Sequence, residues 1–185
     1  MTASRGAAVG PEAGDGGEVV VRLTIEGAGR VELATGDALV DHLLGLAARR
    51  ARFDLAIAAG AGAQAAAPRV DDVGAAVGRA LREALGAGEG IRGAGSATMP
   101  CAEALALVAL DLSGRAYLAY DVDLAGVRID EFDADLAGRF LHALVAAAGM
   151  TLHVRLLSGS DPHHIVDAVF EGLGEALRMA CETRP

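Results

Sequence analysis

The sequence predicts an α+β fold of two tandem β-β-α-β-α half-domains, each a sheet backed by helices on one face. Three observations carry that prediction. The stretches 70-VDDVGAAVGRALR-82 and 166-VDAVFEGLGEALR-178 match at Val70/Val166, Asp71/Asp167, Val73/Val169, Gly78/Gly174 and the Ala-Leu-Arg ending, at a constant offset of 96 residues. A run with Asp, Gly and Arg in register marks an internal duplication. Each copy follows an alternating apolar stretch, 53-FDLAIAA-59 or 151-TLHVRLL-157, which has the period of a half-buried strand. Each of those strands follows a helical stretch, 38-ALVDHLLGLAARRA-51 or 136-LAGRFLHALVAAAG-149.

In chain order, residues 1–18 read as a disordered tail, being Gly, Ala and acid with no apolar core. The first half-domain, 19–95, has strands at 19–27 and 30–35, a helix at 38–51, a strand at 53–59 and a helix at 70–82. The second, 96–185, has strands at 105–114 and 116–124, a helix at 136–149, a strand at 151–157 and a closing helix through 166–178. The two halves make one duplicated domain overall.

Composition narrows the functions. Of 185 residues 52% are hydrophobic but only 3% aromatic, with no Trp, so the core is built from Ala, Val, Leu and Ile. The net charge of −9 argues against nonspecific nucleic-acid binding, which needs a cationic surface. The amino terminus lacks the apolar core of a signal peptide, and no window is apolar for the length of a membrane span. Two distant cysteines, Cys101 and Cys181, read as reduced core residues in a cytoplasmic protein.

Candidate chemistry gathers around 163-HHIVD-167. His163 and Asp167 are four residues apart and share one helix face, where an imidazole and a carboxylate can hold a cation. His164 points about 100° away. His153 lies mid-strand in TLHV, and His42 opens a helix in VDHLL. Such donors suit Mn, Fe, Zn or Ni. Capping or plain surface histidines are the bland alternative, and these residues alone leave both readings open.

The order VDHLL, VDDVGAAVG, GIRGAG, MPCAEALALVALDLSGRAYL, TLHVRLLSG and HHIVDAVF resembles the imidazoleglycerol-phosphate dehydratases of histidine biosynthesis, over nearly everything after Glu18. LDLSGR, and TLH followed by HHxx[acid]AxF, are the most specific parts. The resemblance implies the duplicated fold and a homo-oligomer, up to a shell of 24 subunits. It implies a small-molecule substrate carrying imidazole and phosphate, without nucleic acid or membrane. It also implies a hydro-lyase whose manganese (Mn2+) ions lie between subunits and hold the substrate ring as imidazolate. A carbon-bound proton beside the ring is removed and water leaves; a metal acidifies a bound heterocycle as it acidifies bound water. The corresponding metal residues here are His42, His153, His163, His164 and Asp167. Arg92 and Arg115 correspond to phosphate contacts. Glu103 and Asp71 are the acids left for proton transfer, although a solvated or paired acid is the plainer reading of Glu103.

The sequence departs from the family pattern at particular places. Ala67 and Pro68 stand where the first motif has its histidines, and Asp71 stands for a glutamate. Arg50 replaces the histidine before FDL, Ala102 replaces the aspartate of MDEALA, and Glu171 replaces the lysine after the second motif. The amino-terminal glutamate falls near Gly16, and the closing PSTKG loop has no counterpart in the sequence, which ends 181-CETRP-185. The expectations are manganese held weakly or partially and the usual dehydration strongly reduced or lost. The alternatives are a lyase or isomerase repurposed for another heterocyclic metabolite, and a working dehydratase with an atypical site.

Overall fold

The computed structural model describes residues 5–14, 17–60, 69–129 and 132–184. The first half contains β1 (Gly6–Gly14), β2 (Gly17–Thr24), β3 (Val31–Ala34), α1 (Ala38–Ala51), β4 (Asp54–Ala59) and α2 (Val70–Leu85). The second contains β5 (Ala94–Cys101), β6 (Ala104–Asp111), β7 (Tyr117–Asp121), the short hairpin β8 (Arg128–Ile129) and β9 (Phe132–Asp133), α3 (Asp135–Ala148), β10 (Thr151–Ser158) and α4 (Pro162–Cys181). The two main sheets run β1-β2-β4-β3 and β5-β6-β10-β7. Both have three-strand antiparallel portions with a last strand added in parallel. The duplication read from the helices therefore extends to strand order and strand direction.

Alternation in the strands decides which face each sheet buries. Val19, Val21 and Leu23 of β2 point inward with Leu55 and Ile57 of β4. Ala104, Ala106, Val108 and Leu110 of β6 do the same with Leu152 and Val154 of β10. The helices cover those inner faces, and the helix pairs then meet each other, α2 on α3 and α4 on α1. Phe140 of α3 and Phe170 of α4 touch where the layers meet, with ring centroids 5.8 Å apart.

Two glycines set this helix spacing. A Cβ on Gly78 would come within 2.5 Å of the Leu144 carbonyl oxygen, and one on Gly174 within 2.3 Å of the Ala47 carbonyl oxygen. The glycines are 96 residues apart and the carbonyls 97, so one contact is made twice about a pseudo-twofold axis. The repeat matches Gly78 with Gly174 because both are helix crossings too close for any side chain.

Residues 6–14, expected in a disordered tail over 1–18, instead form β1, paired antiparallel with β2. A sheet edge binds backbone through its own unpaired N–H and C=O groups, so a Gly/Ala-rich segment can join it without a hydrophobic pattern. The bond from the Ile25 amide to the Arg5 carbonyl, 2.8 Å, extends that pairing. Strand β5 (AGSATMPC) was likewise not expected; Gly95 there lies against the Ala176 carbonyl of α4. The 95/96 half-domain boundary falls just inside β5.

Candidate functional site

The first turn of α4 is positioned from both sides. Asp161 caps it by accepting from the His163 amide at 2.9 Å, and Pro162 supplies a first-turn residue needing no amide partner. The turn between β5 and β6 brings Glu103 underneath, with Ala102 at φ 48 tightening the reversal. Glu103 thus lies in the turn of the β5–β6 hairpin. Its Oε1 accepts from the amides of Asp161 (2.8 Å) and Ser160 (3.1 Å), and its Oε2 lies 2.6 Å from His164 Nδ1.

Those bonds define what Glu103 can do. The Asp161 and Ser160 amides, then His164, pull its carboxyl down to about 2, so it is a fixed anion at neutral pH and a weak proton acceptor. An ionised carboxylate only accepts hydrogen bonds, so His164 carries a proton on Nδ1. The same bond raises the His164 pKa. When the ring is neutral its Nε2 lone pair is free, the arrangement in which a carboxylate orients a metal-binding imidazole.

A second imidazole–carboxylate couple lies one turn further. His42 of α1 reaches across to α4, its Nε2 2.8 Å from Asp167 Oδ1. One more turn along, Arg50 Nη2 donates to Glu171 Oε2 at 2.7 Å and lies 3.2 Å from Met99 Sδ. By the family pattern Glu171 puts a carboxylate where phosphate should bind, a costly exchange if that carboxylate is buried; instead its side chain is 29% exposed and ion-paired with Arg50. The two departures from the family pattern, at 50 and 171, are partners. Cys101 sits close enough to Asp167, Glu171 and Glu103 that their charges, after burial itself, raise its thiol pKa.

The remaining expected site residues are elsewhere. Asp71 is gripped by Arg139 of α3, through Nε at 3.2 Å and Nη2 at 2.5 Å, and touched by Arg69 at 3.3 Å. Arg139, the leading cause, holds its carboxyl below the usual range. His153 lies on the exposed face of its sheet, opposite Ala109 and Ala119, with its ring 5.6 Å from Tyr117. Since α4 packs the other face, His153 does not meet His42, His163 or His164 within one chain. Arg92 pairs with Glu182 at 3.0 Å, while Arg115 is exposed and contributes its carbonyl to Thr151. Gly16, Ala67 and Pro68 lie outside the described residues. Among the described residues no group of three or more His, Cys, Asp or Glu is placed to hold a metal ion.

Arg139 was the functional neighbour that sequence reasoning missed, and a signal existed. Asp71 and Asp167 are repeat equivalents at offset 96, and Arg139 stands 97 residues after His42. Arg139–Asp71 is therefore the counterpart of His42–Asp167, with a guanidinium in place of an imidazole.

Comparison with known proteins converges on one family. The imidazoleglycerol-phosphate dehydratase family model matches residues 35–177. An imidazoleglycerol-phosphate dehydratase of Desulforudis audaxviator is 45% identical over 164 residues, 88% of this chain and 84% of that protein. The crystal structure of imidazoleglycerol-phosphate dehydratase from Staphylococcus aureus superposes with TM-score 0.82 at 26% identity, covering 90% of this chain and 95% of that one. The Pyrococcus furiosus structure, in complex with (S)-C348, gives 0.80 at 32% identity and covers 94% of each.

Proposed function

The chain belongs to the imidazoleglycerol-phosphate dehydratase family, and we propose that it keeps the family's fold and assembly while its dehydration of imidazoleglycerol phosphate is strongly reduced or lost. The observation that carries this reading is Asp71. It is the first-copy counterpart of Asp167, yet Arg139 and Arg69 occupy its carboxylate. A guanidinium there repels a divalent cation and brings no lone pair.

The donors at α4 fit manganese in type, being imidazoles and carboxylates, but within one chain they form two separate couples. His42, His163, His164 and Asp167 would hold such an ion, with His153 reaching it only from another copy. A bound divalent ion supplies positive charge that acidifies a ring nitrogen. The chain's own residues do the rest. Glu103 orients His164 and ties down residues 160–161, while Arg50 screens Glu171 from an incoming anion. With Glu103 engaged in three bonds and Asp71 paired, neither expected acid is poised as a proton-transfer base.

We place the protein in the cytoplasm as a homo-oligomer larger than a dimer, up to the shell of 24. The exposed apolar side chains Tyr117 and Leu157 support an outer sheet face covered by another copy. A second reading, a working dehydratase completed across subunits, is favoured by the open Nε2 of His164. Complementation of a histidine auxotroph lacking the dehydratase separates the two. Failure to grow without histidine, with folded protein present, is expected; growth overturns the proposal and supports the second reading.

A further inference from the structure

The duplication also yields two matched clefts at the opposite ends of the helices. Helices α2 and α3 end at a cleft of about 310 Å3 lined by Arg82, Gly86, Gly88, Ser113, Gly114 and Gly149. Helices α4 and α1 end at its counterpart, lined by Arg178, Glu182, Thr183, Arg52 and Glu26. Arg82 corresponds to Arg178 and Gly86 to Glu182 at the repeat offset of 96.

In the second copy the arginine is satisfied internally. Arg178 donates to Glu182 at 2.5 Å and to Glu175 at 2.7 Å. In the first copy both carboxylates are missing: Arg79 stands for Glu175 and Gly86 for Glu182. Arg82 is exposed and has no ion pair among the described residues. The backbone gives the reason for the glycine. Glu182 leaves α4 at φ −56, ψ 134, whereas Gly86 leaves α2 at φ 56, ψ −128. These are nearly mirror images, and only glycine adopts the second without strain. The place Glu182 fills in one cleft is thus left open above Gly86 in the other, where an added Cβ would meet nothing within 4 Å.

We infer that the cleft at the ends of α2 and α3 binds a small oxyanion, a carboxylate or phosphate group, anchored by Arg82 as Glu182 is by Arg178. A guanidinium meets such a group with two parallel charge-assisted bonds. The helix carboxyl ends oppose an anion, yet Glu182 sits at the end of α4 under the same dipoles, so the guanidinium outweighs them. Arg82 is not among the residues the family resemblance singles out, and the cleft is separate from the α4 site.

Inorganic phosphate and malonate, titrated calorimetrically into the whole assembled protein, distinguish the two sources of oxyanion. At least one binds saturably, and Arg82→Gln weakens it about tenfold or more. Arg79→Glu, which copies Glu175 and gives Arg82 an internal partner, weakens it likewise, whereas Arg82→Lys keeps part of the affinity and Arg115→Gln keeps the Arg82-dependent binding. Circular dichroism and elution volume establish that each variant is folded and assembled. No saturable binding, or equal binding by wild type and R82Q, overturns the inference. Loss of binding in R115Q with retention in R82Q also overturns it, and assigns the anion to the family's phosphate contacts. None of these outcomes depends on dehydratase activity.

Discussion

At one end of the helix layer His42 reaches from α1 to Asp167 of α4; at the other Arg139 reaches from α3 to Asp71 of α2. The helices cross at the same spacing, fixed by Gly174 in one place and Gly78 in the other. The carboxylates are repeat equivalents, and one side chain in each pair decides the chemistry. An imidazole couple can share its acid with a metal; a bidentate guanidinium consumes it. The two copies have diverged in charge at their sites while keeping the backbone contacts that hold the sites in place. Backbone-to-backbone crossings are destabilised by any added side chain, whereas a half-exposed pair at the edge of a crossing tolerates many.

The largest expected effect tests whether the altered end matters for the reaction. Wild-type protein, loaded with manganese, should turn over imidazoleglycerol phosphate at least about a thousandfold more slowly than an unaltered family member assayed beside it, since ligand and base losses each cost orders of magnitude. Turnover within about tenfold would mean that the guanidinium end is no handicap.

Next comes the shared scaffold. Gly78→Ala and Gly174→Ala should each destabilise the fold by about 1–3 kcal/mol, because the overpacked carbonyl contact outweighs the helix propensity gained. The denaturant midpoints of the two variants should fall by similar amounts at unchanged slope. A clear loss in one and a gain in the other would end the claim that the crossings are equivalent.

A smaller effect concerns the pairs themselves. Arg139→His rebuilds at Asp71 the couple present at Asp167 and should raise manganese content per chain after dialysis. His42→Arg should lower it. Elemental analysis reads both, with the wild type expected below two ions per chain. Identical content in all three proteins would show that neither couple contributes to metal binding.

The core strands and helices were legible because they are apolar runs of strand or helix length: 19-VVVRL-23 and 104-ALALVAL-110 are long enough and apolar enough to be strands, and in the fold their alternate residues Val19, Val21 and Leu23, or Ala104, Ala106 and Val108, are buried. Strands β1 and β5 were not, because Gly, Ala, Ser and Pro carry no period and those edges are made by backbone pairing. At the site, His42, His164, Asp167 and Glu103 were named from sequence, but their pairings were not. A partner across two helices depends on which helix packs on which, and no local pattern contains that. The equivalence of Arg139 and His42 was present in the numbering, hidden because α1 and α3 share far less sequence than α2 and α4.

Acidity separates the two ends most finely. Glu103 sits at about 2 against an ordinary 4.5, so its bonds to Ser160, Asp161 and His164 stabilise the fold above the ordinary value, and that stability is lost as pH falls toward 2. His164 is raised from 6.5 by the same carboxylate, so its contribution is complete below 6.5 and disappears as pH rises through the higher folded value. Asp71 is lowered from 3.8, chiefly by Arg139, and Asp71 in turn holds the Arg139 guanidinium protonated more firmly than usual, so that end weakens only in acid. Melting temperatures compared with Glu103→Gln should therefore differ most between about pH 4.5 and 6.5, converge as pH falls toward 2, and shrink to a lower plateau above the raised His164 value, where the Ser160 and Asp161 amides still bind the carboxylate. Compared with Asp71→Asn, the difference should be level from neutral pH down to about 4 and shrink only below it. A Glu103→Gln difference that stays constant across neutrality would show that His164 does not exchange its proton against Glu103, and the two ends would then respond to pH alike.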